Sequence, residues 1–353
     1  MVRFGKREVG DGAPVFVTFE AGPTHDGLDS AKRLCKLAAD AGADAVKFQV
    51  LDPDRLVADR KQMFAFDVLV DRATGKTETV EEPLYDLLCR RSMPEDDWRA
   101  LKKHCDSLNL AFFATVSFEE DVALMESLGC HSIKIASADV NYLSFIRRVA
   151  RTGMCVQLDT GNATIGEIEQ AVDAIRREGN ENIIIHLCPS GYPARLESIN
   201  LKIIPTLKRM FPYPVAFSDH TPGRDMDVAA VALGASLVEK TITEDRTTRS
   251  VEHIMSLEPG EMVEFVQAMR DVQTAMGGPR RIMHEAELEK RVAVRRSAHL
   301  TKPVKAGECL SKIEVEFRRP GYGIAPDLYE QLGHRTFKAD LPAGQMIQLA
   351  DLA

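Results

Sequence analysis

Residues 15–48 read VFVTFEAGPTHDGLDSAKRLCKLAADAGADAVKF. The run VFVTF is rich in β-branched and aromatic residues and ends at Glu20; ADAVKF, the next such run, carries Lys47. Between them Ala31, Leu34, Cys35 and Ala38 recur at helical spacing behind the turn segment GPTHDG. Strand, polar strand end, helix and strand make one βα repeat. In a parallel α/β protein built this way, all strand ends face one direction and distant residues meet at one mouth.

The same cadence runs outward from this stretch. A long segment from about Leu51 to Met93 interrupts it, mixing charged and aromatic residues, and reads as an elaborated βα loop of the kind that shapes a binding mouth. The pattern resumes after Pro94, a favourable helix start. Thr115 then follows LAFFA, Lys134 lies in HSIKIAS, Ser218-Asp219-His220 follows PVAF, and Glu239-Lys240 follows SLV. Strands are predicted to begin near residues 15, 45, 110, 132, 154, 183, 214 and 236. Eight βα units imply an α/β chain closed into a (β/α)8 TIM barrel, an open sheet of similar length being the alternative.

At Gly277-Gly278-Pro279 the cadence breaks. The expected organisation is a barrel over 13–278, a charged linker with some helical character over 279–296, and a compact β-rich domain over 297–353. The last is punctuated by KAGE, RPGYG and PAGQ. The 353 residues suit one barrel of about 250 residues plus a small module.

A hydrophobic content of 44% and a charged content of 28% describe a globular chain with a sizeable core. The net charge of −8 gives no sign of a nucleic-acid surface, and no run approaches a membrane span. Seven cysteines, odd in number and without a C-x-x-C pair, read as free thiols in a reducing compartment. With no apolar signal core at the N-terminus, the expectation is a cytoplasmic protein.

The ordered motifs FEAGPTHDG, AGADAVKFQ, FFATVSFEED, IKIASADV, LDTGNATIGEIEQAV, CPSGYP, FSDHT, LGASLVEK, SLEP and RRPGYGI together resemble the sialic acid synthase family, including its spore coat polysaccharide branch. The resemblance runs from about Val15 to Leu349 and implies a barrel followed by an antifreeze-like (SAF) domain. It also implies condensation of phosphoenolpyruvate with an acyclic amino-sugar aldehyde, giving a nine-carbon 2-keto acid and phosphate. A donor bearing a carboxylate and a phosphate needs cations and neutral donors, which Lys47, Lys134 and the strand-end hydroxyls can supply.

By resemblance, Lys47, Thr115 and Lys134 hold the carboxylate, while Ser137, Ser190 and Ser218 face the phosphate. Glu20 manages protons as water adds. Glu239 engages the sugar, Tyr192 contacts substrate in the mouth, and Gln49, Asp159 and Asp219 complete the substrate-binding set. His220 is a ligand of a divalent metal, Mn²⁺ or Mg²⁺, that polarises the aldehyde. Arg319 reaches from the small domain into a barrel, typically that of the other subunit, in a domain-exchanged homodimer.

Two departures bear on this reading. Thr241 stands where the family carries a second metal-binding histidine, so that either the metal is bound more weakly, another group such as His253 or Asp219 completes the site, or no metal is used. Asp159 stands where the family carries a serine near the phosphate. PTHDG for NHNG in the first loop is a milder change. Each residue also has a structural reading: Lys47 and Lys134 as snorkelling or ion-paired barrel lysines, Glu20 as a buried structural carboxylate, His220 as a satisfied core residue, Arg319 as one of a surface pair. Three functions therefore stand side by side: an active synthase for surface polysaccharide, a related aldolase or lyase acting on another keto acid, and a non-catalytic sugar-phosphate-binding homologue.

Overall fold

The computed structural model describes residues 1–353, in two compact units, Met1–Gly277 and Gly278–Ala353. The first unit opens with a short antiparallel hairpin, β1 (Val2–Phe4) and β2 (Arg7–Val9). Its centre is a closed barrel of eight parallel strands: β3 (Phe16–Glu20), β4 (Ala45–Gln49), β7 (Ala111–Thr115), β8 (Ser132–Ile135), β9 (Cys155–Asp159), β10 (Ile183–Leu187), β11 (Val215–Asp219) and β12 (Leu237–Thr241). Strand β12 closes against β3 with Thr241 beside Glu20.

Period-two alternation decides what each strand does. Val17, Phe19, Val46, Phe48, Phe112, Val156, Leu158 and Phe217 point outward and pack with the helical stripe Leu34, Cys35, Ala38, Leu101 and Ile168 in one large core. Thr164 starts the helix Ile165–Arg177 as a reciprocal cap. Its hydroxyl accepts from the Glu167 N–H at 3.3 Å, and Glu167 Oε2 accepts from the Thr164 N–H at 2.8 Å.

The inward-facing residues fall in layers. Phe16, Ala45, Phe113, Cys155, Ile184, Ala216 and Leu237 form a separate apolar cluster with Val2, Phe4 and Val9 of the hairpin. This cluster occupies the starting end of the strands, so β1–β2 forms a floor there. Above it the interior turns polar, which a purely structural barrel avoids, because buried polar groups cost free energy unless paired.

The interruption after β4 contains the helical turn Pro53–Leu56, a hairpin of β5 (Met63–Asp71) and β6 (Lys76–Pro83), and the helix Leu84–Cys89. Phe66, Val68, Val80 and Leu87 make its own small core, and Val251, beyond β12, packs against it. Arg91 Nη2 donates to Ser250 Oγ at 2.7 Å. The insertion is thus tied to the segment following β12.

The second unit holds the helix Glu285–Val294 and an antiparallel pair, β13 (Ser297–Leu300) and β14 (Val315–Arg318). Ala298, Leu300, Val304, Leu310, Ile324, Phe337, Ile347 and Leu352 form its core. All seven cysteines are free. No helix is long and apolar enough to cross a membrane.

Candidate active site

Above the polar layer, the finishing ends of the barrel strands enclose a cavity of about 160 Å³. Glu20, Lys47, Gln49, Thr115, Ser137 and Asp159 form one part of its wall; Ala136, Cys188, Tyr192, His220, Glu239 and Glu252 form the rest. A larger depression of about 870 Å³ lies at the floor hairpin, where Arg7 is already paired with Asp44 at 2.5 Å. The smaller cavity is the one in which acids, bases and hydroxyls from separate strands converge.

Its charged centre is a buried network. Glu239 Oε1 accepts from Lys47 Nζ at 2.6 Å and from Lys134 Nζ at 2.7 Å. Lys47 also pairs with Glu20 Oε2, and Lys134 with Asp159 Oδ1 at 3.1 Å. Burial alone would lower the Lys134 ammonium, but Asp159 and Glu239 overturn that and hold it above the usual lysine range. For Lys47 burial wins over Glu239, and its pKa is lowered. Burial would raise the Glu239 carboxyl; the two ammonium groups override it and hold the carboxyl well below the usual range.

Glycines make room for this network. The Gly22 N–H donates to Glu20 Oε1 at 2.6 Å, and a side chain at position 22 would meet that oxygen at 2.5 Å. A Cβ at Gly161 would stand 2.5 Å from the Cys188 carbonyl oxygen and 3.4 Å from Ser137 Oγ. Only glycine lets these backbones approach so closely.

Beneath the cavity, Lys134 Nζ donates to Ser218 Oγ at 3.0 Å. Ser218 meets His186 Nδ1 at 2.8 Å, and His186 Nε2 meets Gln157 Oε1 at 2.8 Å. Neither His186 nor Gln157 was singled out from sequence, although each is a polar residue at an inward position of an apolar strand. At the rim, Ser190 Oγ donates to Asn162 Oδ1 at 2.9 Å, and Asn162 Nδ2 donates to Ser137 Oγ at 3.4 Å. Asn162 therefore joins the two predicted hydroxyls. Ser190 itself is exposed.

Glu252 is a further cavity residue that the motifs did not reveal. It has a left-handed backbone, φ 70°, an uncommon conformation for a non-glycine residue and one that recurs at functional sites. Thr241 Oγ1 donates to its Oε2 at 3.3 Å. Burial raises its carboxyl to about 7, with Lys47 and Arg91 pulling the other way. A carboxyl raised by folding contributes full stability below its unfolded pKa, near 4.5, and loses it as pH climbs through 7. Glu252→Gln, which cannot ionise, is therefore expected to match the parent near pH 4.5 and to exceed it by about 3 kcal/mol at pH 8. Urea unfolding at both pH values checks this; an equal difference at the two would contradict it.

Two predicted positions lie elsewhere. Asp219 does not face the cavity: one residue past the inward Ser218, it points into the strand–helix layer. There it pairs with Lys240 and accepts from Thr221 Oγ1 at 2.9 Å. Asp227, on the helix Asp225–Ala232, lies 3.6 Å from the same ammonium. Asp219 is thus a structural ion-pair residue, and the strand pleat is the reason. Arg319 belongs to the second unit, where its side chain is exposed.

The donor set for a metal is incomplete. A carbonyl only accepts, so His220 Nδ1–H donates to the Pro189 oxygen at 2.9 Å and its Nε2 keeps a lone pair. That tautomer suits a ligand. The next inward residue on β12 is Thr241, one step beyond the Asp219–Lys240 pairing. Asp219 is committed to Lys240, and His253 Nδ1 to Thr243 Oγ1 at 2.7 Å. No group of three His, Cys, Asp or Glu side chains converges to hold an ion. His220, with the Thr241 hydroxyl and the Glu252 carboxyl hydrogen-bonded to that hydroxyl, falls short of a three-ligand transition-metal site, and no step of the chemistry is routed through one.

Comparison with known proteins places these features. The family model for NeuB matches residues 34–281, and that for the SAF domain matches residues 295–353. The chain is 31% identical over 347 residues to the N,N'-diacetyllegionaminic acid synthase of Legionella pneumophila, covering 96% of this chain and 95% of that one. The crystal structure of spore coat polysaccharide biosynthesis protein SpsE from Bacillus subtilis matches with a TM-score of 0.65 at 31% identity, covering 99% of this chain and 98% of that one. That of the N-acetylneuraminic acid synthetase from Leptospira borgpetersenii matches with a TM-score of 0.71 at 28% identity, covering 82% and 94%. Matches of this extent show that the chain belongs to the NeuB family and carries a SAF domain at its C-terminal end.

Proposed function

We propose that this enzyme condenses phosphoenolpyruvate with an open-chain 2-acetamido-sugar aldehyde, giving a nonulosonic 2-keto acid and phosphate for surface polysaccharide. The observation that carries the reading is the sharing of Glu239 Oε1 by Lys47 and Lys134. Two ammonium groups from separate strands are held together at the base of the cavity by a carboxylate that a doubly anionic donor can displace. Two of the relatives named above are, by name, a diacetyllegionaminic acid synthase and an N-acetylneuraminic acid synthetase, which supports this reading.

In this reading the enol π pair of the donor forms the C3–C bond to the aldehyde carbon, and the aldehyde oxygen takes a proton. Water adds to C2, and phosphate leaves with the C2–O electron pair. Glu20, held by Gly22 and Lys47, receives the proton of the water. Glu252 supplies the proton to the aldehyde oxygen, being the cavity carboxyl that retains one near neutrality. Tyr192, whose ring centroid lies 4.6 Å from that of His220, and Gln49 border the acceptor's space. The same reading includes a homodimer with exchanged C-terminal domains and Arg319 delivered to the partner's barrel; sedimentation of the full chain and an Arg319→Ala variant test it.

The test incubates the protein with phosphoenolpyruvate, Mn²⁺ or Mg²⁺, and a panel of 2-acetamido sugars, following phosphate release and product mass. Turnover that requires both substrates supports the proposal; pyruvate release without phosphate points instead to a lyase, and ligand-induced stabilisation without turnover to a binding protein. On the metal, Thr241→His adds a second imidazole beside His220. It is expected to bind Mn²⁺ more tightly than the parent by calorimetry, and unchanged affinity would mean that another group already completes the site.

A further inference from the structure

The layer beneath the cavity contains a run of hydrogen bonds whose directions are forced. At its lower end the Cys155 carbonyl oxygen can only accept, so Ser132 Oγ–H donates to it at 2.9 Å. With that proton committed, Ser132 Oγ accepts from Gln157 Nε2–H at 2.9 Å. The Gln157 amide oxygen is thereby turned to His186, whose Nε2–H donates to it at 2.8 Å.

Burial, assisted by Lys134, pushes the imidazole down to about 3, so it is neutral and has no second N–H. Its Nδ1 must accept, and the donor within reach is Ser218 Oγ–H at 2.8 Å. The other acceptor open to that hydroxyl is Asp159 Oδ1 at 3.4 Å, which also lies 3.8 Å from His186 Nδ1. The Ser218 oxygen, its proton given to His186, presents lone pairs to Lys134 Nζ at 3.0 Å.

We infer that His186 is a positioning residue: by taking the Ser218 hydroxyl proton, it turns that oxygen onto Lys134 and sets the direction of the ammonium group that meets the anionic donor. Ser218 then acts through Lys134 and does not donate to the donor's phosphate. The identity of the donor rests on the proposed function; the hydrogen-bond directions do not.

Two measurements test this separately. In ¹⁵N-histidine-labelled, ligand-free protein, with the resonance assigned by its loss in His186→Asn, His186 is expected as the neutral Nε2–H tautomer, unchanged between pH 5 and 9. An Nδ1–H tautomer, or titration within that range, overturns the inference. In kinetics, His186→Leu is expected to raise KM for phosphoenolpyruvate about tenfold with a smaller change in kcat. His186→Asn, whose carbonyl can take the serine proton, recovers part of the loss. Adding Ser218→Ala to His186→Leu should cost nothing more, because the serine already lacks its director; additive losses overturn the inference. If the parent binds no phosphoenolpyruvate, the proposed function fails while the tautomer measurement still decides the role of His186.

Discussion

Lys134→Ala is expected to abolish phosphoenolpyruvate binding by calorimetry and to reduce kcat/KM by at least about 10³-fold. The side chain is fully buried and joins Glu239, Asp159 and Ser218. Its removal takes one of two cations from a centre that also holds Glu20, Glu239 and Asp159. What remains repels an anion instead of gathering it. Two buried carboxylates also lose a partner, a change of the kind that costs about 3–5 kcal/mol. Urea midpoints and circular dichroism separate that loss from the loss of binding. A folded variant that binds the donor as well as the parent would remove the basis of the proposed function.

Glu239→Gln has the second largest expected effect, and its signature is a split. The carboxamide keeps the shape but not the charge, so the two ammonium groups face the donor with one competitor fewer. Phosphoenolpyruvate should bind more tightly, while turnover falls at least about a hundredfold as the lysines lose their common anchor. The stability change has a sign in pH. Because Lys134 and Lys47 hold the folded carboxyl below the usual range, its contribution is present above the unfolded pKa and is lost as pH falls toward the folded value. The gap between parent and variant should therefore be widest at neutral pH and narrow below about pH 4. Weaker donor binding in Glu239→Gln, or a gap that widens in acid, would show that the shared carboxylate does not govern the two lysines.

Much of the barrel was legible because its strands are short apolar runs with a polar residue at the finishing end. VFVTFE, ADAVKFQ and SLVEK each carry that signature, and Glu20, Lys47 and Glu239 meet in one cavity. The misplacement of Asp219 shows the limit of reading a motif as a block. Ser218, Asp219 and His220 are contiguous, yet the pleat sends the middle one to the opposite face of the strand, where Lys240 waits. Glu252 was not legible for a different reason. It reaches the cavity from a loop through a left-handed backbone, and no periodicity marks such a position. His186 could have been found, since a histidine at an inward position of NIIIHLC must be paired once buried. The insertion between β4 and the helix Glu95–Ser107 read as a loop because the exposed positions of β6, among them Lys76, Glu78 and Glu81, are polar or charged and mask its pairing with β5.

The hairpin β1–β2 has a bearing on the order of events. With Val2, Phe4 and Val9 packed against the starting ends of the strands, the barrel is a blind chamber with a single doorway. In the proposed reaction, a donor gripped by the deep ammonium groups must arrive before the acceptor stands in the passage, and its carboxylate leaves as part of the product. For that reaction, compulsory order of loading follows from the stoppered base, quite apart from any movement of the loops.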